Sequence, residues 1–151
     1  MRAVIQRVSE ARVLVDDVSV GEIGSGLLLL VGVAVGDDIA DVETLVRKVA
    51  GLRIFADDAR RMNRSVSEIG GAVLVVSQFT LQGDVHRGRR PSFTNAASPG
   101  DAVVLIDAMC SGLKGEGITV AEGEFGAHMQ VELVNDGPVT IVLDIVDGQV
   151  I

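Results

Sequence analysis

Two short polar segments carry the residue types that could bind or cut a small polar ligand. Ser77-Gln78-Phe79-Thr80-Leu81 follows the apolar run Ala72-Val73-Leu74-Val75-Val76. That run is short, rich in β-branched residues and preceded by Gly70-Gly71, which reads as a buried strand. A Ser, a Gln and a Thr therefore sit where a strand leaves the core, a rigid support of the kind that binding residues use. The second segment is Asn135-Asp136-Gly137-Pro138-Val139-Thr140, a turn-type sequence between two apolar strand patterns. Proline removes a ladder hydrogen bond and fixes φ, so Gly-Pro predicts a break between two strands. An X-Pro bond is also where a cis peptide costs only about 0.5–1 kcal/mol over trans. Such a turn can hold backbone carbonyls outward in a fixed geometry. An ordinary strand-to-strand turn explains the same residues without any ligand.

The usual catalytic arrangements are not written in this chain. A Ser-His-Asp hydrolase needs a base beside its nucleophile. The two histidines are His86, in a basic loop, and His128, in Phe125-Gly126-Ala127-His128-Met129. There is no Gly-x-Ser-x-Gly elbow. No His-Glu-x-x-His and no Cys-His cluster suggests a metal, so none is expected. The pairs Asp16-Asp17, Asp37-Asp38 and Asp57-Asp58 each fall in a predicted turn, where turn chemistry accounts for them. Thr80 is a nucleophile by type, but nothing near it in sequence would take its proton.

The two segments, taken with others, resemble one family: the D-aminoacyl-tRNA deacylases. Its hallmark motifs Ser-Gln-Phe-Thr and Asn-x-Gly-Pro-x-Thr both stand intact here, at Ser77–Thr80 and Asn135–Thr140. Similar stretches are Met1-Arg2-Ala3-Val4-Ile5-Gln6-Arg7-Val8, Leu52-Arg53-Ile54-Phe55, Gly88-Arg89-Arg90-Pro91-Ser92-Phe93 and Phe125-Gly126-Ala127-His128-Met129-Gln130-Val131. The likeness runs from residue 1 to about residue 145. It implies a chiral proofreading esterase without cofactor, which cleaves D-amino acids and glycine mischarged on tRNA(Ala) from the 3′-terminal adenosine. It also implies that Ser77 and Gln78 hold the ester and ribose, and that backbone N–H groups near Gln78, Phe79 and Thr80 form an oxyanion hole. Phe125 and Met129 would line the substrate site. Gly137-Pro138, as a cis pair, would enter the partner's site in a homodimer and strike the side chain of an L-residue. Arg7 would pin that turn, with Asn135 and Thr140 flanking it. The implied fold is α+β: a curved, mostly antiparallel, barrel-like sheet with two main helices on one side.

Two features depart from the family pattern. Gln82 and Val85-His86-Arg87 replace commoner residues on the side expected to face tRNA, and the tail Val146–Ile151 runs past the usual end. Three rivals stand beside the main reading. One is the related deacylase with a trans Gly-Pro, against which Ser77 and Phe79 argue. The second is a non-catalytic nucleic-acid-binding dimer of the same fold, against which the acidic C-terminal third counts. The third is a metabolic or structural dimer that shares only the fold, against which the two intact motifs argue.

The elements that must position these residues read as follows. The 151 residues suit one domain with a sizeable core. Hydrophobic residues are 48% and aromatics 3%, with neither Trp nor Tyr, so that core is aliphatic. Strands are expected over residues 2–8, around the Asp16-Asp17 hairpin, over 27–35, 52–56 and 72–79, and near 118–121, 130–134 and 139–145. Val42, Leu45, Val46 and Val49 recur at helical spacing, with Gly51 as the stop. Ser98-Pro99 opens a second helix, whose apolar face is Ala102, Leu105, Ile106, Met109 and Leu113. Gly115 or Gly117 ends it. Strands in runs around two isolated helices favour α+β over a doubly wound parallel sheet.

Composition narrows the setting. The single cysteine, Cys110, forms no disulfide within the chain and sits in a helical pattern, where packing is the expected role. A reducing cytoplasmic compartment is therefore expected. The longest apolar stretch, Leu27 to Val35, is nine residues, short of the roughly 20 a bilayer needs. Neither a membrane partner nor a targeting segment is expected. Net charge is −8, which opposes binding of DNA or RNA by bulk charge. The acidic excess lies wholly in residues 91–151, whereas His86-Arg87-Gly88-Arg89-Arg90 is a local basic cluster. That cluster suits a few phosphates or an ordinary solvated turn equally well.

Overall fold

The computed structural model describes residues 1–151. Nine strands and two α-helices follow one another along it. They are β1 (Arg2–Val15), β2 (Val18–Ile23), β3 (Gly26–Gly32), α1 (Ile39–Gly51), β4 (Phe55–Ala56), β5 (Met62–Arg64), β6 (Ala72–Ser77), α2 (Pro99–Gly115), β7 (Thr119–Glu122), β8 (Gln130–Val146) and β9 (Gln149–Val150). A 3-10 turn, Phe79–Gln82, follows β6. The main sheet runs β7-β6-β3-β1-β8-β9, with β2 also on β1. β1 is antiparallel to β2, β3 and β8, while β3-β6 and β6-β7 are parallel. The sheet is thus mixed, and the class is α+β.

β3 and β6 are apolar at nearly every position because both of their faces are buried. Leu27, Leu29 and Val31, with Val73 and Val75, pack beneath the helices. Leu28, Leu74 and Val76 face the opposite way, onto Val8, Ala11, Val13 and Ile23. That second layer exists because the sheet curls onto itself. A Cβ placed on Gly21 would lie 2.3 Å from the carbonyl oxygen of Glu122, so β2 rides directly on β7. A side chain at Gly21 would hold the half-barrel open.

Both helices begin at sequence-encoded caps. The Asp38 side chain accepts from the Ala40 N–H, and Asp41 reaches back to the Asp38 N–H, closing a capping box. Ser98 caps α2 at the Asp101 N–H, with Pro99 in the first turn. The helices meet where Gly112 lies against Val46; a Cβ there would come within 2.9 Å of a Val46 methyl. Gly117 takes φ +78° just after α2, the left-handed stop that glycine permits. Gly51 behaves differently: it is the last residue of α1, and the chain exits through extended Leu52.

Some expected boundaries shift. The strand expected over 52–56 shortens to Phe55–Ala56, and a short strand not expected from the sequence, β5, follows the Asp57-Asp58 turn and pairs with β4. β6 stops at Ser77, and Phe79 begins the 3-10 turn. The tail after Val146 turns back as a hairpin and docks on α1. The Gly148 N–H donates to buried Asp41, and the Thr44 hydroxyl donates to the Gly148 carbonyl.

Cys110 is buried in the core under the helices. Burial pushes its thiol up to about 12. Between its unfolded value of roughly 8.5 and 12 the folded state holds the extra proton. Stability from this group is therefore full below the unfolded value and falls as pH rises, by at most about 1.4 kcal/mol per pH unit. At pH 8 the native thiol is expected to resist a disulfide reagent that reacts at once in denaturant. Rapid labelling of native protein would contradict this placement.

Candidate functional site

The Gly-Pro segment is not a turn between two strands. β8 runs continuously from Gln130 to Val146, and the segment is an excursion from it. Gln6 of β1 pairs with Thr140 and Val8 pairs with Asn135, so four residues of β8 stand opposite Arg7 alone. The surplus bulges out of the ladder as Asp136–Val139, where the missing proline N–H costs no sheet hydrogen bond. Gly137-Pro138 is a cis pair in this loop.

Side chains fix the loop from both ends. Arg7 Nε donates to the Asp136 carbonyl at 3.1 Å, and its Nη1 donates to the Ile54 carbonyl. Asn135 Nδ2 donates to the carbonyls of Arg7 and Val139 at 2.9 and 3.1 Å. The Thr140 hydroxyl donates to Asn135 Oδ1 and accepts from Gln6 Nε2. Gly137 has φ +124°, and a Cβ there would lie 2.7 Å from the Arg7 guanidinium. The conformation favours glycine, and a side chain here would also displace the Arg7 guanidinium that pins the loop.

Ser77, Gln78 and Phe79 line a cavity of about 510 Å³. Its other walls include Phe93, Phe125, His128 and Met129, and eleven of its sixteen lining residues are apolar, which suits a flat or apolar group with few polar anchors. Phe79 and Phe93 meet edge to face, with centroids 5.0 Å apart. Phe93, Ala96 and Ala97 come from the loop after the 3-10 turn, and Pro99 and Ala102 from the start of α2. None of these five stands out in sequence as a site residue; Phe93 alone lies in a family-like block, Gly-Arg-Arg-Pro-Ser-Phe.

The 3-10 turn sets the polar end of the cavity. The Gln78 N–H donates to the Val31 carbonyl at 2.7 Å, continuing the β3-β6 ladder by one bond. The N–H groups of Phe79 and Thr80 donate to no acceptor in the chain, the usual state of a helix's first residues. The Gln78 amide is hydrogen-bonded to the Thr80 hydroxyl. Thr80 has no carboxylate or imidazole partner and does not line the cavity. His86 is bonded to Asp84, whose carboxyl is held below its usual range chiefly by the His86 backbone N–H. Neither histidine is bonded to Ser77 or Thr80. Gln82, expected on a tRNA-facing surface, instead donates to the Gly32 carbonyl at 2.7 Å and secures the turn.

A larger, open cleft of about 730 Å³ lies between β1, β2 and β8. Its one cationic side chain, Arg12, is already paired with Glu132. Its walls hold no residue of Ser77–Thr80 or Asn135–Thr140, whereas Ser77, Gln78 and Phe79 line the smaller cavity, which is therefore the candidate site.

The two motifs stay apart within one chain. Ser77 is level with Val31, Ala3 and Leu143, while the excursion is level with Arg7. Four residues along β1 and three strand spacings across the sheet separate them, roughly 13 Å by 14 Å on a flat sheet. Neither Gly137 nor Pro138 lines the cavity.

The family model described as D-Tyr-tRNA(Tyr) deacylase matches residues 4–144. The chain belongs to this family. A D-aminoacyl-tRNA deacylase of Roseiflexus castenholzii is 61% identical over 144 residues, covering 95% of this chain and 92% of that protein. One from Deinococcus radiodurans is 57% identical over 145 residues, covering 96% and 100%. Among solved structures, a c-Myc DNA Unwinding Element Binding Protein superposes with a TM-score of 0.90 at 37% identity, covering 96% of this chain and 99% of that one. A second, described as a probable eukaryotic D-amino acid tRNA deacylase, has a TM-score of 0.82 at 20% identity and bears on the fold alone.

Replacing Asn135 with Ala removes the donor from two carbonyls that hold the excursion. It is expected to cost about 1–3 kcal/mol, read as a lower denaturant midpoint with an unchanged slope. An unshifted midpoint would show that the loop is held without it.

Proposed function

We propose that this chain hydrolyses the ester joining a D-amino acid to the 3′-terminal ribose of tRNA, and that it also clears glycine mischarged on tRNA(Ala). The observation that carries this reading is the pair of unpaired N–H groups, Phe79 and Thr80, beside Ser77 and Gln78 at the edge of an apolar cavity. An aminoacyl ester is already activated. The protein then needs donors for the charge that develops on the carbonyl oxygen, and it needs no strong base of its own. In the reaction a water oxygen bonds to the carbonyl carbon and the bond to the ribose oxygen breaks. The water's proton ends on that leaving oxygen, with the neighbouring ribose hydroxyl as relay. Loss of one such donor typically costs about 10²–10³ in rate. Ser77 and Gln78 hold the ester and ribose in this scheme, and Phe125 and Met129 bound the substrate. Thr80 acts through the Gln78 amide rather than as a nucleophile.

Chiral selection falls to Gly137-Pro138 of a partner subunit. Apolar pockets discriminate weakly, by about 1–3 kcal/mol per methylene, whereas a rigid backbone rejects by collision. Support comes from the separation of the two motifs within one chain and from the exposure of the pinned excursion. The outer edge of β8 is also free of strand partners except at Ile145 and Val146, and exposed Val134 and Val142 flank the excursion. An unpaired edge of this length is a template for a second chain. A homodimer in which each protomer completes the other's site follows from this reading.

A non-catalytic nucleic-acid-binding dimer is the second reading, favoured by the name of the structural neighbour at 37% identity. Deacylation of matched D-tyrosyl-tRNA and L-tyrosyl-tRNA by EDTA-treated protein separates the two. The expected outcome is rapid loss of the D-ester with the L-ester intact. Cleavage of neither by a folded dimer would favour the binding reading, and cleavage of both would remove the excursion from its role as filter. Replacing Gln78 with Ala is expected to lower kcat on the D-ester at least tenfold with little change in melting temperature.

A further inference from the structure

The loop between the 3-10 turn and α2 contains a small hairpin that the cavity alone does not explain. Asp84 and Ser92 exchange both backbone hydrogen bonds, at 2.8 and 2.9 Å, and close the seven residues Val85–Pro91 between them. Gly88 takes φ +76° at its tip. Arg87, Arg89 and Arg90 are all exposed there, and none forms an ion pair. The one nearby carboxylate, Asp84, is engaged by the backbone and ring of His86. In a chain of net charge −8, three adjacent unpaired arginines are an exception that calls for an anionic partner.

The hairpin is anchored to the candidate site. Phe93 follows Ser92 directly, lines the cavity and packs edge to face on Phe79. A Cβ on Gly83, just before Asp84, would lie 3.0 Å from both the Phe93 ring and the Thr80 carbonyl, so the base of the hairpin is seated closely on the turn. From Ser92 to Arg89 is three residues, at most about 10 Å of chain. The guanidiniums therefore lie within a nucleotide or two of whatever the cavity holds.

Resting on the deacylase reading, we infer that Arg87, Arg89 and Arg90 bind the backbone phosphates of the single-stranded 3′ end of tRNA and so position the terminal ester in the cavity. They act as positioning residues. Arginine suits this because its planar fork bonds phosphate oxygens in pairs and stays charged. Contacts to phosphates carry no sequence information, so the hairpin holds the 3′ end whatever its base sequence.

The test compares wild type with the R87Q/R89Q/R90Q triple variant on two substrates. One is D-tyrosyl-tRNA; the other is the D-tyrosyl ester of adenosine, which has no upstream phosphate. On tRNA, KM is expected to rise at least tenfold while kcat stays within twofold. On the adenosine ester, kcat/KM should change less than twofold. The slope of log KM against log salt should also flatten by roughly 2, since each single-strand phosphate contributes about 0.7. An unchanged KM and slope on tRNA would overturn the inference. So would an equal effect from R60Q/R61Q/R64Q, because bulk charge would then be acting. Binding of uncharged tRNA, measured by fluorescence anisotropy, requires no ester cleavage. Weaker binding by the triple variant supports the hairpin's role even if the deacylase reading fails, and unchanged binding overturns it even if that reading holds.

Discussion

A mismatch of chain length between β1 and β8 governs this molecule. Four residues of β8 must be accommodated opposite Arg7, and a ladder has room for one. The sheet resolves this by expelling Asp136–Val139 while keeping full pairing on either side. Pairing resumes at Gln6–Thr140 and Val8–Asn135 only because side chains replace the lost ladder bonds. Asn135 satisfies the carbonyls of Arg7 and Val139, and Arg7 satisfies those of Asp136 and Ile54. The loop is thus a built feature of a continuous strand, held by groups whose own backbones lie in the sheet.

The same strand turns the sheet inside out. Ala3 and Ile5 of β1 pack beneath the helices, whereas Val8, Ala11 and Val13 belong to the opposite core. Alternation would place residues 5 and 8 on opposite faces and residues 8 and 11 on opposite faces as well. An extra residue, Ser9, interrupts the register between Val8 and Glu10 and returns Ala11 and Val13 to the face of Val8. The bulge also raises local twist, which brings β2 over β7 and closes the second core. Arg7 falls at the crossover, which is why its guanidinium reaches both the excursion and the Ile54 carbonyl on the helix side.

The cavity depends on the other end of the sheet. β6 stops at Ser77 because the chain tightens into a 3-10 turn that crosses the end of β3. Gly32 permits this, since a Cβ there would lie 2.9 Å from the Gln78 carbonyl and from Leu81. The tight turn is what leaves two N–H groups unpaired beside a hydroxyl and an amide. An extended strand would have spent them on a ladder. The loop that follows contributes the aromatic wall and the arginine hairpin, so one connection supplies both cavity and basic surface.

Much was legible in the sequence. Period-3.6 apolar spacing marks both helices and Ser98-Pro99 marks the start of α2, while Asp38, which reads as a turn residue, is the cap of α1. Near-continuous apolar runs mark the two strands buried on both faces. These are local signals, each carried by a few neighbouring residues. The polar groups of Ser77–Thr80 and of Asn135–Thr140 were also visible, because their residue types conflict with a plain strand. Proline in a strand pattern, however, reads locally as a break. Only pairing with β1 decides that β8 passes through it, since register is set by hydrogen bonds between residues over a hundred positions apart. Phe93, Ala96 and Pro99 joined the cavity for the same reason: nothing within their own segment fixes where the loop returns. Residue types and local periodicity thus determined the elements and the chemistry available, while long-range pairing and close backbone approach at Gly21 and Gly32 decided which of those groups face a common space.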